Sequence, residues 1–288
     1  MPKPPKDAPV VLVTGAGGTI GSSFAEQAAD RYRLRLMISP GGDSSKIKDF
    51  GEVVEADLAD LESLKKVFTG VDMCVHLAGD PDAGDVWDKL LHANIIGTYN
   101  AFAAAVATKC KRVIFASSIH AVSGYPRDVQ VKANEPVNPG DIYGVTKCFG
   151  EALARYVAEQ EGVSAVAIRI CAFQPNSTIE DKNKGVSIAD AWISPRDMTQ
   201  LICKCLDATH VKFAIVHGLS DCEFKRLDIS NARDVFGYAP QDNSFEINPD
   251  LAPLNLDDKL ITHSHADHDD KAATSGMRNQ INPTSPKE

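Results

Sequence analysis

Basic residues are in short supply in this chain: 30 Lys and Arg stand against 39 Asp and Glu over 288 residues, a formal charge of -9 with a sequence pI near 5.4. Nucleic acids and anionic membranes recruit proteins through clustered cations that displace counterions, so neither is an expected partner and a small molecule is. A long apolar run is missing from the N-terminus, where MPKPPKDAP offers four prolines and no hydrophobic stretch. Neither a secretory signal nor a membrane span is expected there, only an unstructured leader. The cysteines at 74, 110, 148, 171, 203, 205 and 222 include no C-x-x-C, and several sit inside apolar runs. An odd count without that spacing argues against a disulfide framework and suits reduced thiols in a cytoplasm. Cys203-Lys204-Cys205, on a helical pattern, reads as packing rather than a metal grip.

What is present is 43% hydrophobic residues, ample for a packed core. Apolar, β-rich runs at 10–14, 34–38, 52–56, 73–77, 113–116 and 165–170 alternate with helical segments, the pattern of parallel strands joined by crossover helices. Strands buried on both faces lose their period-2 alternation and read as continuous Val, Ile and Leu, as VVLV, RVIF and AVAIRI do. Six of them predict an α/β fold with a Rossmann-type doubly wound parallel sheet. A helix is predicted over 151–160, where Leu153, Tyr156 and Val157 recur at helical spacing. Beyond Ile170, CAFQPNSTIEDKNKG reads as a polar loop, SPRDMTQLICKCLDA as a helix opened by Ser and Pro, and KFAIVHG as a further strand. The expected division is a dinucleotide-binding domain over 8–172, a small substrate-binding part over 173–255 that partly returns to the sheet, and a disordered tail over 256–288.

Gly15, Gly18 and Gly21 follow the first strand directly and open a helix. Gly15 permits a tight turn, Gly18 lets backbone N–H groups approach a pyrophosphate, and Gly21 lets the helix lie close on the strand. The positive end of that helix faces the anion. The second strand ends in Met37-Ile38-Ser39, without the acid that would accept ribose hydroxyls, and Asp43 comes later. Arg33, Arg35 or Lys46 could pair with a 2′-phosphate or could be solvated surface charges, so NAD and NADP both stay open.

Tyr143 and Lys147 in YGVTK lie four residues apart at the start of a helix, hence on one face. An ammonium beside a phenol favours the phenolate, so Lys147 is expected to draw the Tyr143 pKa from about 10 towards neutrality and make it a general base. Upstream, the apolar strand RVIFASSIH ends in Ser117 and Ser118.

Taken together, VTGAGGTIG, Asp57 in EADLAD, HLAG (76–79), NIIGTYN (94–100), FASS and YGVTK run in order over about residues 10–220. The chain thereby resembles the extended short-chain dehydrogenase/reductases, the NAD-dependent epimerase/dehydratase group. The resemblance implies that Ser118 polarises the reacting oxygen, Tyr143 exchanges its proton, Lys147 also binds the nicotinamide ribose, and Asn94 holds a water of the proton relay. It also implies Asp57 at the adenine and a cofactor-binding set completed by Thr19, Ile20, Leu58, Leu77, Ala78 and Gly79. Asp80, Ile119, His120 and Arg196 are the implied substrate contacts, and a homodimer through helices at 85–109 and 141–160 is the implied assembly. Details in NIIGTYN, FASS-x-H and W-x-S-x-x-D are similar to the uronate dehydrogenase branch, which oxidises the C1 hemiacetal of a hexuronic acid with NAD. Against that branch the chain has Ile119 in place of an Asn and Ala172 in place of a Ser. Only Lys182 or Lys184 stands near the position of the branch's carboxylate-binding Arg.

The expected activity is therefore NAD(P)-dependent oxidation of a hydroxyl or hemiacetal carbon of a sugar or sugar acid, in the cytoplasm. A sugar or nucleotide-sugar epimerase and a non-catalytic dinucleotide-binding protein are the alternatives. His120 either faces the substrate or is a hydrogen-bonded structural histidine. Trp192 favours the core, and Arg196 favours an acidic partner over an anion in the pocket. Cys148, a neighbour of Lys147 but about 100° away around the helix, is expected to pack. His263, His265, Asp267 and His268 spell a zinc-hydrolase cradle. No later His and no preceding sheet could complete or hold it, so no metal centre is expected.

Overall fold

The computed structural model describes residues 3–82, 84, 86–251 and 277. Its main sheet has seven parallel strands in the order β3-β2-β1-β4-β5-β6-β9. These are β1 Val10–Thr14, β2 Arg33–Ile38, β3 Glu52–Glu55, β4 Met73–His76, β5 Arg112–Ser118, β6 Ser164–Ile170 and β9 Phe213–Gly218. Two short strands, β7 Ala172–Phe173 and β8 Trp192–Ile193, pair separately. The strand order reverses between β1 and β4, and in such sheets ligands bind beyond the C-terminal strand ends at that reversal.

The strand β1 shows why these segments read as unbroken apolar runs. Val11 and Val13 pack on one side with Phe24 and Ala28 of α1 (Thr19–Ala28), whereas Leu12 packs on the other with Leu64 and Phe68 of α2 (Leu61–Phe68). Each such fully buried aliphatic side chain stabilises the fold by about 1.5–3 kcal/mol. A long helix follows β4, formed by α3 (Trp87–Leu90), a π-helical turn over Leu91–Ile96 and α4 (Gly97–Ala107). Its 21 residues are apolar enough to cross a bilayer, but Phe102, Ala104 and Ala105 are buried in this core. On the same side, α5 (Ile142–Tyr156) sets Ala154 against Ala165 and Ala167 of β6, small residues that admit close approach.

β5 ends in Ser117 and Ser118, as read, and both pair with β6 at Arg169 and Ile170. Two segments differ from expectation. The polar stretch after β6 contains two short helices, α6 (Asn176–Glu180) and α7 (Lys182–Gly185). They form because Ile179 is fully buried in a small third core with Trp192 and Phe245. Tyr156 is 51% exposed, so the apolar face read into its helix is not all core.

The Ser-Pro start of α8 (Pro195–Asp207) is as read, with Ser194 Oγ accepting the Asp197 N–H. The chain then forms β9, α9 (Ser230–Phe236) and α10 (Ser244–Ile247). The His263–His268 motif, like nearly all of the tail over 256–288, lies outside the described residues.

Candidate active site

The first glycine turn has the geometry of an anion cradle. Gly15 has φ +68°, and a Cβ there would lie 2.8 Å from Ala78 N; a Cβ on Gly21 would lie 2.5 Å from Gly15 O. Only glycine satisfies both the left-handed turn and this contact. Gly18 caps α1 without a side-chain bond, so the first-turn N–H groups open towards the crevice.

A cavity of about 950 Å³ extends from this turn, at the upper end of the range of about 300–1,000 Å³ for small-molecule and cofactor sites. Gly15, Gly18, Thr19, Ile20 and Gly21 line it from the turn. Asp57 and Leu58 do so beyond β3, and Leu77, Ala78 and Gly79 beyond β4. The residues present therefore fit a dinucleotide.

Among the described residues no Lys or Arg lines this cavity. Arg35 is held by Glu52 (2.9 Å) and by the carbonyls of Val67 and Thr69 (2.8 Å each). Arg33 opens β2 at the end opposite Ser39, and Lys46 is exposed outside the cavity. All three are thereby withdrawn as contacts to a 2′-phosphate.

β5 and α5 bring the distant hydroxyl, phenol and amine together. Ser118 and Tyr143 line one cavity, and Lys147 Nζ lies 5.3 Å from the Tyr143 ring centroid. The expected pKa does not follow, however. Burial pushes the Tyr143 phenol up to about 12; the nearby Ser118 hydroxyl pulls it down, and Asp141 and Asp80 push it further up. Lys147 donates to Ala116 O at 3.0 Å, and burial lowers its own pKa to about 8 against the pull of Asp80.

Asn94 sits within the π-helical turn, a distortion frequent at functional sites. Its Oδ1 accepts Asp80 N–H at 2.7 Å, and its Nδ2 donates to Asp80 O (3.0 Å) and Thr146 Oγ1 (3.2 Å). Both amide hydrogens are thus engaged, and the side chain holds the turn after β4 against α5. His76 of HLAG is buried and bonded to Thr14 Oγ1 at 2.8 Å; burial, with Lys147 adding to it, lowers its pKa to about 3.

Behind these groups, Glu151 accepts from Ser117 Oγ (2.6 Å) and from both Nε (2.8 Å) and Nη2 (2.9 Å) of Arg169. This buried network ties α5 to β5 and β6 one turn beyond Lys147.

A second cavity, about 280 Å³, opens beside Ser118 and Tyr143. Ile119 and His120 line it, and Pro81 lines both cavities. His120 combines the two roles considered for it: it faces the cavity, bonds Asp141 Oδ2 at 2.6 Å and meets the Tyr143 ring edge-on at 5.2 Å.

Asp80 lines the larger cavity instead. Arg196 is displaced from the site altogether. It is half-exposed and pairs with Asp242 at 2.5 Å, while Trp192 is wholly buried. Lys182 and Lys184 are also outside, Lys184 pairing with Asp181 at 3.4 Å.

Sequence reasoning missed Asp190 and Arg226, which meet on the wall of the smaller cavity at 2.8 Å. No motif surrounds either of them. Asp141 was legible in principle, as an N-cap acid two residues before Tyr143 whose Oδ1 accepts Gly144 N–H at 2.7 Å.

The profile of the NAD dependent epimerase/dehydratase family matches residues 11–186. An NAD-dependent glucose-6-phosphate dehydrogenase of Haloferax volcanii is 35% identical, over 85% of this chain and 98% of its own length. A uronate dehydrogenase of Pseudomonas syringae pv. tomato is 30% identical, over 86% of this chain and 88% of its own. The crystal structure of uronate dehydrogenase from Agrobacterium tumefaciens superposes with a TM-score of 0.73 at 31% identity, covering 85% of this chain and 88% of that one. With the glycine cradle, the adjoining Ser-Tyr-Lys cluster and these likenesses together, the chain belongs to the NAD dependent epimerase/dehydratase family, the extended short-chain dehydrogenase/reductases.

Proposed function

We propose that this protein is an NAD-dependent dehydrogenase that oxidises a hydroxyl-bearing carbon, the hemiacetal C1 foremost, of a free sugar or sugar acid. One observation carries the reading: a large cavity beyond the glycine turn meets, at Pro81, a monosaccharide-sized one that Ser118 and Tyr143 line. A space of 280 Å³ lies at the lower edge of small-molecule sites, about 300–1,000 Å³, which suits a single sugar ring better than a nucleotide-sugar. The bound cofactor supplies the hydride acceptor and, in its oxidised form, a positive charge.

The chain does the rest. Ser118 and Tyr143 hold the substrate hydroxyl from two sides, and the Tyr143 oxygen takes its proton. Lys147, fixed on Ala116 O, contributes the positive charge that favours the phenolate. Asp57 holds the adenine end of the dinucleotide and the N-terminus of α1 its central pyrophosphate. A cofactor cavity lined by no Lys or Arg among the described residues favours NAD over NADP.

The test is NADH formation with a panel of aldoses and hexuronates, run with NAD and NADP in parallel. Reduction of NAD with kcat/KM at least about tenfold above that for NADP is expected. Retained cofactor and sugar interconversion without net NADH would identify an epimerase instead.

The same reading extends to assembly and location. Ile96, Tyr99, Val145 and Tyr156 are exposed on α4, α5 and the turn before α4, and Tyr99 lies near enough to Tyr156 to act on it electrostatically. Such an apolar strip calls for cover, and a second copy placed about a two-fold axis covers itself. Light scattering is expected to give a dimer mass for the wild type and a monomer mass for Tyr99→Glu combined with Tyr156→Glu; a monomeric wild type refutes the assembly. Seven unpaired thiols, six of them buried, support a cytoplasmic setting.

A further inference from the structure

The wall of the smaller cavity, which Tyr143 also lines, contains an ion pair that nothing in the chemistry above uses. Arg226 Nε donates to Asp190 Oδ2 at 2.8 Å, with side chains only 13% and 9% exposed. Arg226 is held from both sides of its backbone, donating to Asp190 O (2.9 Å) and accepting from Val131 N–H (3.1 Å). Its Nη2 is buried without a hydrogen-bond partner.

Burying two charges beside a cavity is costly, and breaking one such pair typically destabilises a protein more than the pair stabilises it. A position kept so firmly, at the edge of a ligand site, points to recognition. The remaining wall is largely aliphatic, with Ile119, Val122, Ile170 and Leu227 suited to the C–H faces of a ring.

We propose that Asp190 and Arg226 together read neighbouring hydroxyl groups of an uncharged aldose and discriminate against sugars bearing a carboxylate or phosphate. This rests on the smaller cavity being the substrate pocket. A hydroxyl can donate to a carboxylate and accept from a guanidinium at once, so adjacent hydroxyls match a pre-formed acid–base couple.

An anionic substituent matches it badly. Recognition of a carboxylate or phosphate is strongest when an arginine offers its planar fork bidentately; Asp190 already takes Nε, which leaves an incoming anion only the Nη edge, next to that carboxylate. A second anion would also be desolvated beside the Asp190 carboxylate, where like charges repel. Besides this pair, His120 is the one His, Lys, Arg, Asp or Glu side chain on the wall among the described residues, and it is bonded to Asp141. Arg127 is near enough to act on Asp190 electrostatically, from an exposed position outside the wall.

The decisive experiment compares D-glucose, D-galactose and L-arabinose with D-glucuronate, D-galacturonate and glucose 6-phosphate. Two readouts are taken on the wild type: NADH formation, and calorimetric binding to the protein saturated with NADH. Both are expected to favour the uncharged sugars by at least about tenfold. In Asp190→Asn, which frees Arg226 for an incoming anion, the uronate-to-aldose ratio of kcat/KM should rise at least about tenfold. Asp190→Glu, which keeps the charge, should leave the ratio near the wild-type value.

Equal or better use of the anionic sugars by the wild type overturns the proposal while leaving the dehydrogenase reading intact. Selective binding of uncharged sugars without NADH formation does the reverse. Binding of neither class overturns the proposal, and so does an unmoved ratio in a folded Asp190→Asn protein. Because the wild-type binding comparison needs no substitution, the outcome does not depend on the variant folding.

Discussion

Tyr143→Phe is expected to lower kcat for sugar oxidation by about 10³-fold, within the range of general acid–base groups and equivalent to about 4 kcal/mol in the barrier. NADH affinity, followed by its fluorescence, should stay within about threefold, since only a hydroxyl is removed and the ring still packs edge-on against His120. The pH profile supplies a second check. With burial holding the phenol up at about 12, the fraction of phenolate grows as pH rises through the accessible range, so wild-type kcat/KM should climb. Lys147 loses its proton above about 8, and the charge that favours the phenolate goes with it. The climb should therefore flatten near that pH, whereas Tyr143→Phe should be flat throughout. Retention of more than a tenth of wild-type kcat in Tyr143→Phe removes Tyr143 as the base.

The largest effect on stability is expected at Glu151. Its carboxylate takes three hydrogen bonds from Ser117 and Arg169, and the pair is 3% and 1% exposed. Glu151→Ala leaves the Arg169 guanidinium charged and buried with no counterion, and its Nη1 already has no partner. A loss of about 3–5 kcal/mol is expected, which for a chain of this size lowers Tm by something on the order of ten degrees. Chemical denaturation should show a lower midpoint with an unchanged slope. Replacing both partners, as Glu151→Leu with Arg169→Met, should recover much of that loss, because two apolar side chains leave no charge stranded. A loss under about 1 kcal/mol for Glu151→Ala would falsify the assignment of this network as the tie between α5 and the sheet.

Much of this was legible in the chain itself, for reasons that differ by element. β1, β5 and β6 could be read because both faces of the sheet are covered, so their apolar runs are continuous. The glycine turn could be read because steric contact with Ala78 and with its own carbonyl leaves no other residue type. Tyr156 misled, since helical periodicity marks a face as apolar without saying whether the fold or a second molecule covers it. Arg196 was read as favouring an acidic partner and has one, but Asp242 could not be named, because it lies 46 residues away in a stretch with no periodic signal. Asp190 and Arg226 were illegible for the same reason: 36 residues apart, they meet through loop backbone. The raised phenol pKa also lay beyond sequence, because spacing shows that an amine is near a hydroxyl but not how dry the surroundings are.

The isolated bridge between Val131 and Leu227 joins two loops nearly a hundred positions apart in the chain. The redox floor is assembled from the strand ends and α5, while the surface that inspects the sugar hangs on this seam and on the turn that carries Asp190. Substitutions in the seam are therefore expected to change sugar preference while the end of β5 and the start of α5, which carry Ser118 and Tyr143, stay in place. That separation makes positions 131, 190 and 226 the natural starting library for redirecting the protein to a new carbohydrate.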